Sequence, residues 1–201
     1  MIGVRHWFYA AVPLTAAFFS LVLLGQSLWI PLKAEVAHWL IERSWQRSLE
    51  GEIEAPPWPW ADTRAAGILT VPGRGIRQMI LEGNSGRNLA FGPVILNHTG
   101  HSEDLVLSGH RDTHFRFLKD LRTGDQVHIQ LPDGTRYFEV IQLDIVDSTQ
   151  AEMVIEPGVK RLSLVTCYPF DSMAAGGPQR YVVTALPVEP QISRRHSPSS
   201  G

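Results

Sequence analysis

One cysteine, Cys167, stands in the whole chain of 201 residues. A single thiol excludes an intramolecular disulfide and any zinc site built from several cysteines. Net charge is nearly absent as well. Eighteen Lys and Arg against 20 Asp and Glu leave a formal charge of −2, so there is no polybasic footprint and no nucleic-acid partner is expected. The sequence has no Gly-rich phosphate loop, no Gly-x-Ser-x-Gly elbow and no internal repeat. His110 and His114 stand four apart, but no Glu follows His110 and that residue reads as the end of a strand, so neither a metal nor a cofactor is expected.

Charge is missing altogether from Trp7 to Ile30, a 24-residue stretch. As a helix it is long enough to cross a hydrocarbon core of about 30 Å. Trp7, Tyr9 and Trp29 lie near its ends, where interfacial aromatics belong. A cleaved signal peptide is the alternative, but its apolar core runs to about 7–15 residues before a small-x-small site. Pro31-Leu32-Lys33-Ala34-Glu35 offers no such site, so the stretch reads as an uncleaved signal-anchor. Arg5 at one end and Lys33 at the other nearly balance, and charge alone does not orient it.

Composition is otherwise ordinary for a folded domain, the chain as a whole being 44% apolar and 19% charged. Ala37, Ile41 and Trp45 recur every four residues from Leu32 to Glu50, an amphipathic helix that Gly51 ends. Pro56, Pro57 and Pro59 make the next segment extended, and of the two readings of Trp58 and Trp60, covering a groove or closing the barrel end, the second is expected. From Gly67 onward the pattern is β. Strands are expected at Ile68–Val71, Ile76–Leu81, Leu105–Leu107, Gln126–Leu131, Arg136–Ile145, Leu162–Thr166 and Tyr181–Leu186, with a hairpin at Pro132-Asp133-Gly134-Thr135. Phe115, Leu118 and Leu121 at spacing three suggest a short helix within Asp112–Leu121. Many short strands joined by Gly and Pro turns predict a mostly β chain closed into a barrel.

Three reactive side chains stand at strand ends: Cys167 after Leu162–Thr166, His110 after Leu105–Leu107, and Arg180 before Tyr181. Each has a plainer reading by itself. A lone Cys is most often a small buried hydrophobe, a lone His a hydrogen-bonded structural residue and a lone Arg a surface charge. Together they supply a nucleophile, a proton-transfer group and a charge stabiliser.

Ser163-Leu164-Val165-Thr166-Cys167 resembles the sortase signature Thr-Leu-x-Thr-Cys, with Ser163 keeping a hydroxyl where the signature has Thr. Arg180 follows after a short loop, as the sortase arginine does, and Ser108 to Phe115 is similar to the sortase histidine region. Pro57 to Asp62, Leu89 to Pro93, Thr166 to Phe170 and Gly176-Gly177-Pro178 are similar to the sortases of Gram-negative bacteria, class GN. The resemblance implies an eight-stranded barrel with short helices. The uncharged stretch, the four-residue spacing and the Ser-, Arg- and Pro-rich end after Pro190 divide the chain into a membrane anchor over 1–31, an amphipathic linker over 32–54, a domain over 55–190 that the resemblance makes catalytic, and a disordered tail over 191–201. The resemblance orients the chain with its N-terminus in the cytoplasm and its domain outside, in the periplasm at a bacterial inner membrane.

A thiolate, not a thiol, attacks a carbonyl. The expected roles are Cys167 as nucleophile, His110 as general acid then base, and Arg180 as oxyanion stabiliser, with Thr166 and Ser163 positioning the substrate. The implied partners are a protein with a C-terminal sorting signal similar to Leu-Pro-x-Thr-Gly, cut between Thr and Gly in the same membrane, and an amine acceptor. Two other classes stay open here: a simple cysteine endopeptidase, and a membrane-tethered binding module without catalysis.

Overall fold

The computed structural model describes residues 3–52, 55–83, 85–96, 103–150, 156, 158–172 and 176–189. The chain divides into two units, 1–40 and 41–201. The expected tail over 191–201 lies outside the described residues.

A single helix, α1, runs Gly3–Leu49 with Pro13 and Pro31 inside it. In the first unit Leu14, Phe18, Phe19, Leu21, Leu23, Leu24 and Leu28 are all more than half exposed. By length and composition this is one helix able to cross a membrane, and an anchor and a signal sequence both fit that test. Lys33 places its ammonium 5.0 Å from the Trp29 ring centroid, a cation–π contact.

In the second unit, α1 ends before Gly51, whose φ of 95° suits a residue without a side chain. Ile41 and Trp45, both 1% exposed, pack with Ala65, Ile68, Met79, Leu81 and Val94. Burying each of these two side chains contributes about 1.5–3 kcal/mol. The Ser44 hydroxyl donates to the Ala55 carbonyl and accepts from the Ala65 N–H, joining helix, Pro-rich segment and first strand. Trp58 packs edge-on against Phe91, ring centroids 5.6 Å apart, as expected of a closing residue. Trp60 does not: it is 83% exposed, because the turn that follows Pro59 carries it outward.

Eight strands form a closed barrel among the described residues. They are β1 (Arg64–Val71), β2 (Ile76–Glu82), β3 (Val94–Ile95), β4 (Asp104–Ser108), β5 (Gln126–Leu131), β6 (Gly134–Asp147), β7 (Arg161–Cys167) and β8 (Gln179–Pro187). Their order around the barrel is β1-β2-β3-β4-β7-β8-β6-β5, closing on β1. β2–β3 and β4–β7 are parallel and the remaining neighbours antiparallel. β5 alternates half-buried and buried along its whole length, with Val127, Ile129 and Leu131 inward. β4 and β7 instead bury both faces, as strands of parallel pairs do.

The short helix expected within Asp112–Leu121 is a 3-10 segment, Arg116–Asp120, that follows a turn. Three residues per turn is the 3-10 period, so Phe115, Leu118 and Leu121 still align, all buried in the barrel core. β3, two residues long, was not expected, because a pair of residues has no periodicity to read.

Candidate active site

The site is built on the β4–β7–β8 seam. Leu162 and Leu164 of β7, Leu105 and Leu107 of β4, and Val183 and Ala185 of β8 all belong to the barrel core. Side chains alternate along a strand, so Cys167, Val165 and Ser163 take the outer face, as do Val106 and Ser108 on β4 and Arg180, Val182 and Thr184 on β8. Cys167 and Arg180 are direct register partners. Opposite residues of an antiparallel pair hold their Cβ atoms about 4.5–5.5 Å apart.

On the other side, β4 and β7 pair in parallel from Asp104↔Arg161 to Ser108↔Val165. The same offset, 57 residues, continues past the strand end, where the Thr166 hydroxyl donates to the Gly109 carbonyl at 2.7 Å. The Gly109 N–H donates to the Val165 carbonyl at 3.2 Å. β4 ends at Ser108, two residues before His110, and its pairing with β7 runs to Val165, two residues before Cys167. Cys167 and Arg180 are thus neighbours across β7 and β8, and His110 follows the end of the strand on the other side of β7. Cys167 is half-buried and free, His110 exposed and Arg180 half-buried.

The His110 segment is held by its own backbone. The His110 carbonyl accepts from the Phe115 N–H at 2.9 Å. Gly109 lies flat against the Phe115 ring, where a Cβ would come within 2.6 Å of ring carbon. The Arg180 guanidinium donates through Nη1 to the carbonyls of Gly177, at 2.6 Å, and Gln179, at 2.9 Å. Its plane is thus fixed by the loop before β8.

The loop after Cys167 rests on aromatics. Tyr168 stacks on Tyr181 and Phe170 meets Tyr181 edge-on, with centroids 6.2 and 5.1 Å apart. Burial, and then the neighbouring Tyr168, push the Tyr181 phenol above its ordinary range. The Tyr168 N–H donates to the Gln179 carbonyl at 3.0 Å, which ties this loop to the approach to Arg180.

Ser163 lies at 6% exposure on the outer face, with small and apolar residues of three strands around it. Thr166 is 2% exposed and its hydroxyl is engaged with Gly109. His114 sits apart from Cys167, its Nδ1 3.0 Å from the Gln78 amide oxygen and its Nε2 3.3 Å from the Ala90 carbonyl. Among the described residues no group of three His, Cys, Asp or Glu side chains gathers to hold a metal. A cavity of about 710 Å³ lined among others by Pro56, Asp62, Thr63, Arg64, Glu82 and Ser85 contains none of the three residues.

A sortase-domain family model matches residues 69–188, which include all three. The chain belongs to the sortase family. Sortase D of Bacillus subtilis (strain 168) is 34% identical over 130 residues, 60% of this chain, and the chain covers 62% of that protein's own length. Among solved structures, sortase A of Corynebacterium diphtheriae superposes with a TM-score of 0.57 at 21% identity, over 67% of this chain and 65% of that one, a likeness of fold. The pilus-related sortase C of Group B Streptococcus gives 0.52 at 26% identity, over 62% and 68%. These relatives are Gram-positive sortases, so the similarity to class GN rests on the motif wording alone.

Two features of this sortase were not singled out from its sequence. Asp104, fully buried at the start of β4, accepts from Arg161 at 2.7 and 3.1 Å and from the Glu156 N–H at 3.2 Å. Burial alone would disfavour the Arg161 charge, but this pairing holds its pKa above the usual range. Arg111, next to His110, is 7% exposed. Neither stands out in sequence, where a charged residue beside a turn reads as solvated surface.

Proposed function

We propose that this chain is a membrane-anchored sortase, a cysteine transpeptidase acting on a protein that carries a sorting signal similar to Leu-Pro-x-Thr-Gly. The observation that carries the reading is the Cys167↔Arg180 register pair on β7 and β8, with His110 following the end of β4 on the other side of β7. The Cys167 thiolate attacks the carbonyl carbon of the Thr–Gly bond, forming a C–S bond. Negative charge gathers on the former carbonyl oxygen, and Arg180, its plane fixed by the Gly177 and Gln179 carbonyls, lies on the strand beside it to stabilise that charge. The tetrahedral centre collapses, the C–N bond breaks and His110 delivers a proton to the leaving amine. An incoming amine then attacks the thioester, His110 takes its proton and the Cys167 thiolate leaves. Ser163 forms part of the floor under the peptide, and Thr166 acts on the substrate indirectly, by fixing the Gly109 carbonyl next to His110.

The anchor reading draws on the exposed apolar residues of α1, and the resemblance to sortases supports a domain outside the cytoplasm. The proposed arrangement is an N-terminus in the cytoplasm and a catalytic domain in the periplasm at an inner membrane, as class GN wording implies.

The test uses the full chain in detergent micelles, because Ile41 and Trp45 of α1 pack on the barrel and a fragment starting at Gly51 would lose both. A Leu-Pro-x-Thr-Gly peptide should give a thioester on Cys167 by intact mass. Added amine should convert that adduct to a new amide, whereas an endopeptidase would release only the acid. Cys167→Ala and His110→Ala should each abolish the adduct, and the double variant should be scarcely worse than Cys167→Ala. A folded His110→Ala chain that acylates at wild-type rate sinks the assignment and makes His114 or His101 the next candidate; His101 lies outside the described residues.

A further inference from the structure

Taking an ionised guanidinium out of water costs several kcal/mol unless its donors are met. Arg111 is 7% exposed, so its partners define what it is for. Nη1 donates to the Pro169 carbonyl at 2.6 Å and Nη2 to the Ser172 carbonyl at 3.0 Å. Nε faces the Asp112 carboxylate at 3.1 Å, which balances the charge from the solvent side, Asp112 being 68% exposed. Both carbonyls belong to the loop that leaves Cys167, and Arg111 itself follows His110 directly. The Ser172 N–H bonds back to the Pro169 carbonyl at 3.4 Å, so the guanidinium grips a closed turn and not a passing strand.

We propose that Arg111 is a positioning residue: its fork locks the turn after the nucleophile to the residue after the general acid, and so sets His110 against Cys167. This role rests on the sortase-type reading of the site. Arg111 does not serve as a second substrate arginine, because its donors are directed inward onto main-chain carbonyls. Arg180 also donates to main-chain carbonyls, through Nη1, but it stands half-buried on the outer face, where Arg111 is 7% exposed. The two arginines divide the work, one stabilising charge on the substrate and the other holding the machinery together. A planar fork reaches two carbonyls at once, which a lysine ammonium on a flexible stem does not reproduce.

Three readouts on the full chain in micelles test this. In Arg111→Met, kcat for the Leu-Pro-x-Thr-Gly peptide should fall about 10- to 100-fold, the scale of a misplacement near 1 Å. KM should stay within about threefold, since no substrate contact is removed. Arg111→Lys should recover part of the loss. The third readout needs no substrate: the rate at which iodoacetamide alkylates Cys167. His110→Ala should change that rate in the wild-type background but by less than about twofold in Arg111→Met, because the two residues are then already uncoupled. Destabilisation alone would not erase the effect of His110. A folded Arg111→Met chain with wild-type kcat and an undiminished His110 effect overturns the proposal while leaving the sortase reading intact. Loss of coupling in a chain that never acylates the peptide supports the positioning role and counts against the substrate. Should Arg111→Met fail to fold, Arg111→Lys decides alone, and a Lys variant equal to wild type in both kcat and coupling overturns the idea.

Discussion

Adding one methyl group at Gly109 tests how tightly the histidine segment is seated. A Cβ there would lie 2.6, 2.8 and 2.9 Å from three ring carbons of Phe115, a fully buried side chain in the barrel core. No real Cβ sits that close, so either the ring or the backbone must move. Phe115 packs edge-on against Phe117 at 5.9 Å, and its own N–H holds the His110 carbonyl, so the ring has little room and the backbone carries the strain. Overpacking of this kind costs about 1–3 kcal/mol. Gly109 does not occupy the left-handed region, so alanine also gains about 0.4–1 kcal/mol by restricting the unfolded chain. The balance for Gly109→Ala is about 0–2.6 kcal/mol of destabilisation. For a domain of this size that lowers the melting temperature by up to roughly 10 °C. Activity should fall further than stability, because the displaced backbone leads directly into His110. Denaturant melts and peptide acylation measure the two effects. Phe115→Leu should relieve the clash, so the double variant should be less damaged than the single changes add up to, with a coupling of about 1 kcal/mol. Gly109→Ala at wild-type stability and acylation rate, with no coupling to Phe115, would refute the seating argument.

Arg180→Lys should lower the chemical rate by about 100-fold or more while KM changes little, and normal turnover with only a raised KM would mean uniform binding instead. Burial by itself raises the Asp125 pKa, but the Arg74 guanidinium at 2.8 Å and the Arg122 N–H at 2.9 Å outweigh it and hold the carboxyl below its ordinary 3.8. A depressed carboxylate stabilises the fold above the unfolded pKa and loses that contribution as pH falls through the folded one. The stability advantage of wild type over Asp125→Asn should therefore be constant near neutrality and shrink below about pH 4 in urea melts; an advantage independent of pH would show the pairing to be inert. A reporter fused at Gly51 should work only outside the cytoplasm, and a mature N-terminus near Ala34 would replace the anchor with a cleaved leader.

The sequence shows what is periodic and hides what is not. Strand ends were legible near Cys167, His110 and Arg180 because apolar alternation stops there, and the short 3-10 segment betrayed itself through Phe115, Leu118 and Leu121. The spacing of Ile41 and Trp45 marked a buried face, though not the barrel residues it would meet. What escaped is a set of bonds between segments far apart in the chain. Asp104 to Arg161 and Gly109 to Thr166 each span 57 residues, and Arg111 to Pro169 spans 58. No local rule gives a separation of that length, since it is set by the crossover between two parallel strands and by everything inserted in it. Once one such pair is known, the rest follow by counting along the register, and the count that joins Asp104 to Arg161 reaches Ser108 and Val165. The Asp104–Arg161 ion pair opens that strand pairing, and His110 and Cys167, proposed as acid and nucleophile, each follow its far end by two residues. An insertion or deletion of a single residue within β4 or β7 would shift that count and move His110 relative to Cys167.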